Sequence, residues 1–506
     1  MKKLVALLLA LVLISSVAPL VSASAEGERM DVLKVGITAM TSQFDPGYSM
    51  GIQTIKIFYN IYDTLLTTDK EGNIVGNLAE KWNWVDPVTL DVTIRPNVTF
   101  HNGEACTSDD VFFTFDRILS GFGDGTIAVL YDTLESVEIV DDLTVRFHLK
   151  EPDSAFEARL GSVWGANIVP HDYLEEIGPE AFQKAPVGTG PFSMEYSPEK
   201  LTLHRYEGFW GEQPNVDTIE FILYPETSAR MIALVNGEVD IINDVTADLV
   251  DTINGYDGLS VKGSTIKNIH IYVFNCNSEG MMGKQEFRRA LTMAIDRDAL
   301  VEAFWGGYAY NPKGHQFKSY GDLYLDDYEG IKYDPEEAKK LVEEAGYDGE
   351  EITIQMRQGY YMNGDQAGEA ICDMWKEIGV NARVEYVDKW SWGFPHMRAW
   401  SSASRFDNPL GCLWLLFGPG SNPANNNWTP TEEFLAAGAK VLSGETLEER
   451  QAGARELLEI FDTYCPGTYL YMAEDLYGVR DGLDWDMTYC ENQIMPFRAG
   501  DFKLAD

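Results

Sequence analysis

Apolar residues recur along this chain in two rhythms, and the switches between them mark its elements. Val32 to Thr38 alternates as a strand does, whereas Ile55, Phe58, Ile61, Tyr62, Leu65 and Leu66 repeat at helical spacing and predict a helix over Thr54 to Leu66. A Pro46-Gly47 turn separates the two. From Trp82 to Lys150 the pattern becomes short strands, among them Leu90 to Arg95 and Thr144 to Leu149. One helix interrupts them, opened by the caps and acids of Thr107-Ser108-Asp109-Asp110 ahead of Val111, Phe112, Phe115 and Ile118. Strands return from Gly190 to Leu223. A helix over Ser228 to Asn236 then stops at Gly237, which tolerates positive φ, and a strand over Val239 to Ile242 follows.

The second half alternates strands and helices. Ile269 to Asn275 is a strand, Phe287, Ala290, Leu291, Ala294 and Ile295 form a helical stripe, and Asp296 caps a helix through Leu300, Val301 and Phe304. Asp334-Pro335 supplies a cap and a first-turn proline for a helix that Gly346 ends. Strand Glu351 to Met356 and helix Gly368 to Ile378 complete an α/β unit. No internal repeat or long flexible linker appears, so crossovers with a shared interface should join the domains.

The amino terminus changes the picture of where the chain works. Lys2 and Lys3 precede an apolar run from Leu4 to Ile14, and Ala23-Ser24-Ala25 provides the small residues of a cleavage site before Glu26. The run is too short to span a bilayer, and no cysteine follows it for lipid attachment. A soluble periplasmic protein starting near Glu26 is expected. Its roughly 480 residues exceed one core, so two or three domains are expected.

Removing a leader that holds Lys2, Lys3 and no acid takes the formal charge from −41 to −43. Nucleic acid and anionic membranes are poor partners for such a chain, because both are bound through Lys and Arg clusters. The six cysteines are scattered, with no C-x-x-C pair. Disulfides are permitted by their even number, but a chain of this size does not depend on them.

Four segments, in order along the chain, carry a resemblance. They are Leu78-Ala79-Glu80-Lys81-Trp82 with Arg95 to Glu104 and Ser108 to Val111; Pro186-Val187-Gly188-Thr189-Gly190-Pro191-Phe192; Asn236-Gly237-Glu238-Val239-Asp240; and Phe287 to Leu291 through Ala294 to Arg297. Together they resemble the bacterial extracellular solute-binding proteins of family 5, the peptide and nickel binding components of ABC importers. The resemblance implies an α/β, two-lobed periplasmic binding protein of the Venus-flytrap type (class II, cluster C) with an extra inserted domain. The implied division is a signal peptide 1–25, domain I over 26–58, 184–267 and 476–506, domain II inserted over 59–183, and domain III over 268–475. It also implies a monomer whose partners are a small-molecule ligand, peptide or oligosaccharide, and the permease and ATPase of an importer; seven histidines without a ligand cluster argue against direct metal coordination, and no cofactor is expected.

A ligand cleft needs aromatic walls and a few polar anchors. The region Trp390 to Trp428 offers Trp390, Trp392, Trp400 and Trp414 with Arg398, Arg405 and Asp407. In peptide-binding relatives an aspartate shortly before a proline in this region takes the ligand's amino group. Counting back from Pro409 puts Arg405 near that place, and Asp407 fits only if the segment has shifted. If Arg405 faces the cleft, the ligand carries a carboxylate or other acceptor there. Arg357 resembles a position that holds a dipeptide's carboxylate, and the loop carrying Gln43 and Phe44 follows a first-lobe strand and is expected to line the cleft. Asp45-Pro46 reads as a turn element. Stacking of sugar faces on the indoles makes an oligosaccharide the alternative cargo.

One rival belongs to another class. Gly47-Tyr48-Ser49-Met50-Gly51 spells the G-x-S-x-G pattern of serine hydrolases, but a nucleophile elbow sits directly between strand and helix, and here Pro46 intervenes. No H-E-x-x-H, Walker A or G-x-G-x-x-G motif is present. A receptor or chaperone-like protein would use the same fold without a transporter.

Overall fold

Two long antiparallel strands, Leu259–Phe274 and Gly467–Arg480, form the spine of the molecule. In the computed structural model, which describes residues 29–48, 51–123, 127–198 and 200–505, they lie in the middle of an 11-stranded sheet. On one flank Ile241–Ile242 pairs with the carboxyl-terminal end of Gly467–Arg480, followed by the parallel strands Met30–Ile37 and Val216–Leu223. An antiparallel pair, Lys200–Arg205 and Phe192–Tyr196, closes that edge. On the other flank Asn268 to Phe274 pairs with Met397–Ala403, and the parallel strands Ile352–Met356 and Ala382–Tyr386 follow. Each long strand therefore belongs to both lobes. The register slips between Thr265 and Ile269, which leaves a bulge at Ile266, Lys267 and Asn268.

A separate antiparallel sheet, ordered Ala79–Asp86, Thr89–Ile94, Thr144–Leu149 and Leu134–Asp141, lies between two segments of the first lobe in sequence. Helix Ser108–Leu119 covers it with Val111, Phe115 and Ile118 buried. This is a two-lobed α/β fold with an inserted domain. The leader and Ser49 and Met50 lie outside the described residues.

Local chemistry explains the helix boundaries. Thr107 and Asp110 cap each other's backbone: Thr107 N donates to Asp110 Oδ2 at 2.8 Å, and Asp109 N donates to Thr107 Oγ1 at 3.3 Å. Such a cap contributes about 1 kcal/mol. Asp296 and Asp334 accept from Ala299 N and Glu337 N, each at 2.9 Å, as their spacing predicts. Gly237 and Gly346 stop their helices at φ of 71°.

The structure corrects several expectations. The first helix spans Ile52–Ile61 and does not reach Leu66. Tyr62 turns extended so that its hydroxyl donates to Phe44 O at 2.7 Å, and Leu65 O accepts from Asn77 N and Ala79 N. The apolar rhythm continues past Ile61 because these residues stay buried, not because they stay helical. Helix Gly364–Glu377 starts four residues before Gly368, while only Ile241–Ile242 of Val239 to Ile242 pairs in the sheet.

Gly188 and Gly190, in the segment Pro186 to Phe192, have ordinary φ. They are small because the chain passes against the end of the first helix: a Cβ on Gly190 would lie 2.6 Å from the Ile61 carbonyl carbon. All six cysteines are free.

Candidate functional site

The three structural units meet at the loop that follows strand Met397–Ala403. Arg405, Phe406 and Asp407 lie on this loop and, with Ser162, Tyr59, Thr67 and Asn492, line a narrow crevice. The loop is fixed from within: Arg405 N donates to Gly411 O at 2.8 Å, and Ser404 Oγ donates to Phe406 O at 2.9 Å.

The inserted domain reaches this loop through residues 154–164. Ser162 Oγ donates to Arg405 O, and the Arg405 guanidinium stacks on the Trp164 ring at 3.9 Å. Arg159 lies over Phe406 at 4.7 Å, itself anchored by Asp153 at 2.9 Å. Further along, Ser154 donates from N and Oγ to Leu442 O and Val441 O, both at 2.8 Å. The inserted domain and the far lobe are thus in direct contact.

Asp407 faces the crevice with its charge already met. Both of its oxygens lie 2.8 Å from Lys267 Nζ, and Oδ1 also accepts from Ser319 Oγ at 2.7 Å. Lys267, in the bulge of the long strand, reaches Glu491 at 2.8 Å as well. Arg405 has no such balance. Among the described residues it makes no ion pair, its Nη1 is buried without a partner, and burial pushes its pKa down to about 10. Trp164 Nε1 is likewise buried and unpartnered.

The tryptophan cluster has a different arrangement from an open stacking wall. Trp390, Trp392 and Trp400 surround the Arg398 guanidinium at 4.4, 4.3 and 4.4 Å from their ring centroids. Arg398 is 1% exposed and donates to Ser391 O at 3.2 Å, and burial lowers its pKa to about 10. Cation–π contacts of this kind contribute up to about 2 kcal/mol when desolvated. Trp414 stacks on Phe434 at 5.6 Å with an interplanar angle of 13°.

The other candidates lie apart from the crevice. Phe44 is corrected to a core residue: it is fully buried, meets Tyr196 edge-on at 5.0 Å, and its N donates to Gln183 Oε1 at 2.6 Å. Gln43 is exposed, and Arg357 sits over the ring of Tyr360 at 4.9 Å. Asp45 behaves as a turn residue, accepting from Gly47 N at 2.9 Å and pairing with Arg117 at 2.7 Å. Sequence reasoning missed Lys267, Ser162 and Trp164. Lys267 had a signal, a charge set in the apolar run Ile266 to Phe274.

The family model for bacterial extracellular solute-binding proteins, family 5 Middle, matches residues 73–429. The chain belongs to that family. It is therefore a solute-binding protein and not an enzyme. The dipeptide-binding protein of Escherichia coli (strain K12) is 25% identical over 375 residues, 67% of this chain and 68% of that one. The oligopeptide-binding protein AppA of Bacillus subtilis (strain 168) is 26% identical over 383 residues, 71% and 69% of the two chains. Among solved structures, the periplasmic binding protein DppA of Helicobacter pylori in complex with the peptide STSA superposes with a TM-score of 0.82 at 21% identity. That superposition covers 95% of this chain and 99% of the other. This family 5 protein shares their two-lobed architecture.

Proposed function

We propose that this family 5 protein is the periplasmic substrate-binding component of an ABC importer and captures peptides between its lobes. The observation that carries the reading is the crevice at Arg405 to Asp407, where the inserted domain, the far lobe and the carboxyl-terminal segment converge. Relatives named for dipeptides and oligopeptides support the cargo. A permease and an ATPase would receive it. The leader over residues 1–25, without a following cysteine, supports export to the periplasm without a lipid anchor.

The domain division proposed with this function is domain I over 26–58, 184–267 and 476–506, domain II over 59–183, and domain III over 268–475. The long strands then cross between domains I and III. The aromatic cluster favours an oligosaccharide less than an open wall would, because Trp390, Trp392 and Trp400 each turn one face to Arg398.

Native mass spectrometry of residues 26–506, purified without denaturation and then exposed to short peptide mixtures, tests the proposal. Adducts resolvable into peptides and lost on denaturation are expected. No peptide adduct, with a single sugar bound in its place, would overturn the cargo.

A further inference from the structure

A binding protein of formal charge −41 is an unexpected place for a partly buried arginine with no ion pair among the described residues, yet Arg405 is one, and its Nη1 is fully buried. The acid that lines the crevice with Arg405 is spoken for. Asp407 is neutralised by Lys267 and bonded by Ser319, and Glu491 shares the same lysine. What remains beside the crevice is a surplus of donors: where the Arg405 guanidinium stacks on Trp164, Arg405 Nη1 and Trp164 Nε1 are both buried and unpartnered. An uncompensated buried charge costs several kcal/mol, so a closed site is stable only if its ligand brings the opposite charge.

We propose that Arg405 seats a carboxylate of the ligand, and that the protein selects peptides presenting an acid group at this point over peptides presenting an ammonium there. This rests on the peptide reading above. The guanidinium fork suits a carboxylate because two parallel N–H donors match its two oxygens. Trp164 and Ser162 come from the inserted domain, so the seat is complete only when that domain meets the loop. Lys267 acts as a positioning residue: by holding Asp407 it keeps a competing carboxylate from turning toward Arg405.

The test uses one tetrapeptide mixture free of Asp and Glu, prepared with a free carboxyl terminus and with that terminus amidated, and titrated calorimetrically into the full mature chain. Wild type is expected to bind the acid form at least about tenfold tighter, the scale of one charged hydrogen bond. Arg405→Gln should bring the two forms within about twofold, with Arg405→Lys intermediate; unchanged melting temperatures would show that both variants fold. Equal binding of acid and amide by wild type would overturn the inference while leaving peptide uptake intact, as would an acid preference that survives in Arg405→Gln. If neither mixture binds, the peptide reading fails. Glutarate then decides: Arg405-dependent binding upholds the carboxylate seat, and no binding ends it.

Discussion

Lys267 Nζ lies 2.8 Å from each carboxylate oxygen of Asp407, a residue 140 positions further along the chain. The same ammonium holds Glu491, so one side chain in the bulge of a shared strand ties the far lobe to the carboxyl-terminal segment. Lys267 is almost wholly buried, and removing one partner of a buried pair leaves the others uncompensated. Lys267→Met is expected to destabilise the protein by about 3 kcal/mol. Urea unfolding would measure it, and a loss below about 0.5 kcal/mol would mean the triad is an ordinary surface pair.

Trp414 predicts a packing effect. A Cβ on Gly438 would overlap its ring, which is pinned against Phe434. Gly438→Ala should cost about 1–3 kcal/mol through overpacking. The double variant with Trp414→Leu should recover part of that loss in thermal melts, because the obstructing ring is gone.

His315 gives the stability a pH dependence. Burial holds its pKa down to about 3, so the folded protein keeps it neutral while the unfolded chain protonates it near pH 6.5. Below pH 6.5 the unfolded state therefore binds a proton that the folded state refuses, and stability falls by up to about 1.4 kcal/mol per pH unit until about pH 3. Asp462 and Asp501, raised by burial to about 6, act in the opposite direction and are unchanged by substitution at position 315. His315→Asn should accordingly flatten the slope between pH 7 and 5 by about one proton, whatever its effect on absolute stability. Parallel slopes would mean that His315 titrates normally.

Ser49 separates binding from hydrolysis. Ser49→Ala should leave peptide affinity and melting temperature unchanged within about 0.5 kcal/mol. Loss of a hydrolytic activity in that variant would contradict the family assignment.

Most element positions were legible in the sequence because their signals are local. Thr107, Asp296 and Asp334 cap helices within three residues of themselves, and Gly237 acts at its own φ. The segment Tyr62 to Leu66 misled because periodicity reports burial, and an irregular stretch pinned by Tyr62 to Phe44 is buried too. At the site, sequence proximity correctly gathered Trp390, Trp392, Trp400 and Arg398, since neighbouring residues of one strand and its preceding loop must lie together. It could not say that the indoles turn toward that arginine. Nor could it pair Arg405 with Trp164, a contact made across domains and far apart along the chain.

The bulge at Ile266, Lys267 and Asn268 interrupts the ladder where the shared strands pass from one lobe to the other. A continuous ladder resists bending along its length, whereas an interrupted one concentrates bending at the break. The spine is therefore a pair of stiff levers joined at a short soft point, and the lysine latch sits on that point. Whatever loosens the latch acts at the pivot, where a small change in angle becomes a large displacement at the rims of the lobes.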